Sequence, residues 1–217
     1  DAAGYPYASS TDVGNVTSHT ITGLNTGTTY YTAISAYDSD GNESWVSSDT
    51  SATAQSVPTT LVFSTQPSGA TAGSSFDAQP VILIKDLEGN TVTSATDSVT
   101  VSITSGTGAA GASLVGTATV SAINGVATFT DLRIDKTASG YTLTASSGSL
   151  SSAVSSSFDV STAAASTLVV ISEPSTTAAG EAFGTQPVVQ IQDAYGNVIT
   201  SSSAPVTASI TSGTGTS

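Results

Sequence analysis

Gln79-Pro80-Val81-Ile82-Leu83-Ile84-Lys85-Asp86-Leu87-Glu88-Gly89-Asn90 is the stretch that decides how this chain folds. It returns as Gln186-Pro187-Val188-Val189-Gln190-Ile191-Gln192-Asp193-Ala194-Tyr195-Gly196-Asn197, an offset of 107 (186 − 79). The offset holds without a gap from the Leu61/Leu168 pair to the end of the chain. Pro67 meets Pro174, Gly73 meets Gly180 and Phe76 meets Phe183, and about half of the aligned positions are identical. Each copy carries a short apolar run closed by a turn signal, which is the mark of a strand entering a hairpin. A period of this size corresponds to one two-sheet β module of roughly 100 residues.

Working outward, the rest of the chain also reads as strands. Val99, Val101 and Ile103 alternate with Ser98, Thr100, Ser102 and Thr104, the period-2 pattern of a half-buried strand. Tyr141, Leu143 and Ala145 alternate with Thr142 and Thr144. Asn124-Gly125 lies between two such runs and predicts a tight type I′ hairpin. No segment shows an amphipathic helical period. The expected fold class is all-β, with tandem β-sandwich modules. Phe76, Ile84, Val101, Phe129, Leu132, Tyr141 and Leu143 are the predicted core of an antiparallel two-sheet sandwich.

The repeat sets the expected boundaries. Residues 58–162 form one complete module, 163–217 are the N-terminal half of a second copy, and 1–57 are part of a different module. The linkers around Pro58 and at 162–166 are short, which limits the freedom of neighbouring modules. Both end modules are expected to be completed by strands outside this stretch, either in a longer chain or from another subunit.

Composition bounds the function. Sixteen acidic residues face only Lys85, Arg133 and Lys136, for a formal net charge of −13. Such a surface repels phosphate backbones and anionic lipid, so neither nucleic acid nor membrane insertion is expected. A cation-rich external medium suits this balance, but solubility alone is the preferred account of it. The chain has no Cys and no Met. A sandwich of this size has core enough to dispense with disulfides, so export is compatible with that lack. Apolar runs such as 168–171 are far too short to span a bilayer.

Two resemblances refine this reading. Leu24, Gly27, Thr28 and Tyr30 match the L-x-x-G-T-x-Y corner of the fibronectin type III family, with Ala33, Ser35 and Ala36 fitting its next strand. The first 57 residues therefore resemble the C-terminal part of such a domain. The resemblance implies a tyrosine corner in which the Tyr30 ring packs against Leu24 and its hydroxyl bonds backbone upstream. Tyr141 with Leu132 is a second candidate corner. The repeat itself resembles the bacterial immunoglobulin-like modules of invasin-type surface proteins. Gln66-Pro67, Ala72-Gly73, Gln79-Pro80-Val81, Asp86-x-x-Gly89-Asn90 and Gly125-Val126-Ala127-Thr128-Phe129 carry that likeness. It implies an extracellular spacer or stalk and names no ligand.

The candidate chemistry is sparse. His19 is the single histidine and no cysteine is present, so no nucleophile–base–orienter set can be assembled and the chain is read as a non-enzyme. Asp38, Asp40, Asn42 and Glu43 cluster in one loop and form a candidate calcium site, because calcium takes several such oxygens. Their glycine sits at the fourth position, unlike the sixth of an EF-hand, and a plain Asp-Gly hairpin is the default reading. The 86–90 loop cannot share a chelating purpose with its copy, since Tyr195 stands where Glu88 does. Asn15-Val16-Thr17 and Asn42-Glu43-Ser44 fit the N-glycosylation pattern. Trp45, Tyr5, Tyr7 and Tyr195 could offer stacking surface to a sugar, although Trp45 is expected to pack near the last strand of its module. No cofactor is expected apart from possible calcium.

The functional expectation is a set of structural spacer or stalk repeats in a large extracellular bacterial surface protein, whether adhesin, surface layer or fibre. The alternative is an accessory module, possibly carbohydrate-binding, of a secreted polysaccharide-degrading enzyme. The expected partners are neighbouring modules of the same or identical chains, with surface glycans or host and other cell-surface proteins as further candidates.

Overall fold

The computed structural model describes residues 9–209. Tyr5, Tyr7 and the 210–215 part of the repeat lie outside them. The chain divides into two compact units, Asp1–Val57 and Pro58–Ser217. No helix occurs among the described residues, and the fold is all-β.

In the first unit β1 (Thr29–Thr32) pairs antiparallel with β2 (Thr50–Thr53), Thr29 opposite Thr53 and Thr32 opposite Thr50. Both threonine pairs join hydroxyls across the ribbon, at 2.9 and 3.0 Å. This ribbon has no facing sheet among the described residues, so Leu24, Tyr31 and Ile34 stay exposed. Trp45 is 95% exposed, which corrects the expectation that it packs near the module's last strand.

The second unit runs β3 (Thr60–Thr65), β4 (Ala70–Thr71), β5 (Val81–Lys85), β6 (Ser98–Ile103), β7 (Leu114–Val115), β8 (Thr119–Ser121), β9 (Val126–Thr128) and β10 (Arg133–Ile134). It continues with β11 (Ala138–Tyr141), β12 (Leu143–Ser146), β13 (Ala153–Val154), β14 (Phe158–Ser161), β15 (Ala165–Ser172) and β16 (Val188–Asp193). One sheet has the order β3-β5-β9 and another β13-β12-β6-β8. Leu61, Ile82, Ile84 and Ala127 from the first meet Val99, Val101, Leu143 and Ala145 from the second in a single core. All seven predicted core residues lie in that cluster, each at most 4% exposed. Burying such side chains contributes about 1.5–3 kcal/mol apiece, the main favourable term for a module without disulfides.

Two details depart from a plain antiparallel sandwich. β14 pairs antiparallel with β11 but parallel with β4, Val160 opposite Ala70. The run expected as one strand over 141–145 is two, because Tyr141 pairs with Phe158 in one sheet and Leu143 with Ile103 in another. The chain changes sheet at Thr142. Alternation survives the change, so Tyr141, Leu143 and Ala145 all point into the core.

The turn chemistry follows the sequence closely. Asn124 and Gly125 take φ of 53° and 75°, the pair of positive angles a type I′ turn demands. Ile123 and Val126 exchange both backbone hydrogen bonds around them, at 2.9 and 3.0 Å.

The sequence repeat is also a structural one. Leu61 faces Ile84 across β3–β5, and Leu168 faces Ile191 across β15–β16. The register slips between Phe63 and Thr65 in the first pair and between Val170 and Ser172 in the second, the same places 107 residues apart (170 − 63). A bulge reproduced to the residue is a designed feature of the strand.

Candidate functional site

The loop proposed for calcium is one of three copies of a single hairpin. Asp38, Asp86 and Asp193 each begin an Asp-x-x-Gly-Asn turn, ending at Asn42, Asn90 and Asn197. In each, the Asp backbone N–H donates to the Asn carbonyl at 3.0–3.1 Å and the Gly N–H to the Asp carbonyl at 3.1 Å. In each, the Asn N–H donates to the Asp carboxylate at 2.8–2.9 Å. The flanking residues bridge as strand ends: Tyr37 with Glu43, Lys85 with Thr91, Gln192 with Val198. The carboxylate serves as an internal acceptor for a turn whose glycine needs positive φ, 84° at Gly41 and Gly89 and 76° at Gly196.

This engages the side chains of Asp38 and Asn42, two of the four candidate calcium ligands. Asp38 Oδ1 accepts from the backbone N–H of Asp40 and of Asn42, and both of its oxygens accept from the Asn42 side-chain amide. The Asn42 side chain, then its backbone N–H, holds the Asp38 carboxyl below the usual carboxylate range. Glu43 accepts from the Ser35 hydroxyl at 2.5 Å. All four residues are exposed. Among the described residues no three His, Cys, Asp or Glu side chains come together closely enough to hold a metal ion.

A densely bonded polar cluster forms at the third hairpin, which the sequence marks only as a turn. Asp193 is 2% exposed and Asn197 8%. Asp193 Oδ1 accepts from the N–H of Tyr195 and of Asn197, both at 2.9 Å. Its Oδ2 accepts from the Asn197 amide at 2.9 Å and from the Ala163 N–H at 3.0 Å, which ties in the linker. Burial pushes the Asp193 carboxyl up, but the hydrogen bonds from Asn197, Ala163 and Tyr195 together outweigh it and leave the carboxyl below its ordinary value.

Asn197 also reaches the preceding repeat copy. Its side-chain amide donates to the Asp135 carbonyl at 2.9 Å, and its Oδ1 accepts the Thr137 N–H at 3.1 Å. Lys136, one of only three basic residues, donates from Nζ to the Tyr195 carbonyl at 2.6 Å. The Tyr195 ring lies over Gly73, so closely that a Cβ there would sit 1.9 Å from its Cζ. The sequence held one signal of this cluster, the Asp-x-x-Gly-Asn motif itself. Nothing in the spacing of 135–137 or Gly73 placed them beside it.

Both tyrosine corners make their hydrogen bond. The Tyr141 hydroxyl donates to the Lys136 carbonyl at 2.8 Å, and the Asn25 N–H donates to the Tyr30 hydroxyl at 2.9 Å. Tyr30 is half-buried and Leu24 is 39% exposed, so that corner is less packed than expected. Gln79 explains its own place in the repeat. Its amide donates to the Leu132 carbonyl at 2.9 Å and accepts the Leu132 N–H at 3.0 Å, acting as a one-residue strand partner. His19, Asn15 and Trp45 are exposed.

No family model matches the chain. No curated protein matches it either. Among solved structures, surface layer protein SbsC, domains 4–9, aligns over 82% of this chain and 30% of its own length, with 17% identity and a TM-score of 0.35. Domains 1–6 of the same protein align over 82% of this chain and 25% of theirs, with 16% identity and a TM-score of 0.35. The chain thus spans less than a third of the length of those structures.

Proposed function

We propose that this chain is a run of structural spacer modules in an extracellular bacterial surface protein, with no catalytic role of its own. One observation carries the reading. The second repeat copy is fastened to the first through Asp193, Asn197 and Lys136, with the linker N–H of Ala163 drawn into the same network. Modules bonded to their neighbours in this way keep a fixed spacing, which is what a spacer supplies. The acidic surface, with 16 acidic residues against three basic ones, suits an exposed array in a salt-containing medium. Whether the array serves adhesion, a surface layer or a fibre is a finer question that its neighbouring domains answer.

The test is localisation. Antibodies raised against the chain are expected to label intact source cells, and surface proteolysis of those cells should remove the epitope. Labelling only after lysis overturns the proposal. The second reading, a carbohydrate-binding accessory module, is favoured by exposed aromatics in the first unit, Trp45 at 95%, Tyr31 at 65% and Tyr37 at 60%. Retention on insoluble polysaccharide that is lost in Trp45→Ala supports it, and no retention of the parent chain removes it.

A further inference from the structure

We propose that the repeat carries a plug and a socket for another copy of itself. The plug is the 193–197 loop, and the socket is the 135–137 segment together with Gly73. The first Asp-x-x-Gly-Asn hairpin shows that the turn alone closes on itself. In the first, the Asn42 amide folds back on both oxygens of Asp38, at 3.2 and 2.9 Å. In the third, the Asn197 amide is shared between Asp193 and the Asp135 carbonyl, and its oxygen takes the Thr137 N–H. The same turn has been put to a second use.

The socket side is shaped for it. Gly73 has φ of 77° and gives its N–H to the Ile134 carbonyl at 2.8 Å, which lays it beside the 135–137 segment. Its missing side chain is the space the Tyr195 ring fills. Lys136 is held from both ends: its carbonyl takes the buried Tyr141 hydroxyl and its ammonium takes the Tyr195 carbonyl. The socket is thereby anchored in the core of its own module. Ala72-Gly73 recurs as Ala179-Gly180, and Gly180 keeps the positive φ, 87°, with nothing within 4 Å of the Cβ position. The second copy therefore repeats the glycine of the socket, and the ligand this surface fits is the Asp-x-x-Gly-Asn loop of a further repeat. The loop of the second copy sits on the socket of the first, so a further copy joining by the same contact extends the array head to tail. This joint deepens the spacer reading and rests on the same contacts; its failure would remove the fixed spacing while leaving the localisation test to stand on its own.

Because the chain lacks cysteine, spin labels can be placed on Ser94→Cys and Ser201→Cys, both exposed and one on each copy. Pulsed dipolar spectroscopy is expected to give one narrow distance distribution. Asn197→Ala and the socket variant Gly73→Ala are each expected to lose it, and amide exchange should show Thr137 losing protection in Asn197→Ala. Gly73→Ala also forces an alanine into positive φ, so it is repeated with Tyr195→Ala. Relief of the clash should restore part of the narrow distribution. Lys136→Ala, which touches none of the hairpin's own hydrogen bonds, is expected to broaden it as well. A distribution already broad in the unsubstituted pair, or one equally narrow in the socket variants, overturns the proposal.

Discussion

Tyr141 donates its hydroxyl to the carbonyl of Lys136, five residues upstream, at 2.8 Å. The ring is fully buried, stacked 6.0 Å from Phe158, and Phe158 in turn meets Phe76 edge-on at 5.1 Å. Apolar packing and one polar tether therefore act at a single residue. Tyr141→Phe keeps the ring and leaves a carbonyl without its donor, so it should cost about 1–2 kcal/mol in urea unfolding. Tyr141→Ala removes the ring too and should cost about 3–5 kcal/mol. Tyr30→Ala should cost clearly less than Tyr141→Ala, because Tyr30 is only half-buried. Equal costs at the two corners would refute the difference in packing.

Gln79 pairs with both backbone groups of Leu132, which is itself fully buried. Gln79→Ala leaves a donor and an acceptor without partners in a part-buried place, and should destabilise by about 1–3 kcal/mol. Gln79→Glu can keep the acceptor half only, so it should fall between alanine and the parent at neutral pH. A melting curve unchanged in both variants would remove this role.

Gly125 and Gly89 separate two reasons for a glycine. Both have positive φ, 75° and 84°. A Cβ on Gly125 would lie 2.4 Å from the Val92 carbonyl oxygen, whereas at Gly89 nothing lies within 4 Å. Gly89→Ala should cost about 1–2 kcal/mol for the backbone strain alone. Gly125→Ala should cost distinctly more, since backbone cannot move aside as a flexible side chain does. Similar losses at the two positions would show that φ alone decides.

The Asp38 carboxylate is already hydrogen-bonded by its own loop, and no group of three His, Cys, Asp or Glu side chains forms around it among the described residues. Millimolar calcium is therefore expected to leave the melting temperature unchanged. A rise that Asp40→Ala abolishes would restore the 38–43 loop as a calcium site.

Much of the architecture was legible because it is local. Alternation at Val99, Val101 and Ile103 placed a strand, Asn124-Gly125 placed a hairpin, and the 107-residue recurrence placed the second copy of β3 and β5. Alternation reports which side chains face inward, and it does so even where the chain changes sheets at Thr142. It does not report which strand lies alongside, so the parallel β4–β14 pair went unread. The joint was hidden for a related reason. Its bonds run largely from backbone, the Thr137 N–H and the carbonyls of Asp135 and Tyr195, and backbone leaves no residue signature. Trp45 was misplaced because an aromatic in a β segment implies a core only where a second sheet covers it.

The last expectation concerns acid. Asp193 accepts four hydrogen bonds as a carboxylate, and its pKa is held below the ordinary value by the donors of Asn197, Ala163 and Tyr195 despite the opposing effect of burial. For a carboxyl whose folded pKa is depressed, the stabilisation is complete above the unfolded pKa, about 3.9, and is lost as pH falls through the lower folded value. The hairpin, the linker and the bridge to Asp135 and Thr137 should therefore hold unchanged from neutral pH down to about pH 4, where an aspartate begins to titrate. Below that the Ala163 amide should lose protection first, because its acceptor is the carboxylate itself, and Thr137 should follow as Asn197 is released. Asp193→Asn replaces one of the two acceptor oxygens with a donating amide, so it should expose the amides bonded there at neutral pH and remove the acid step. Amide exchange followed by NMR across this range decides the matter: protection at Ala163 that is indifferent to acid, or an acid step that persists in Asp193→Asn, would show that another group governs the joint.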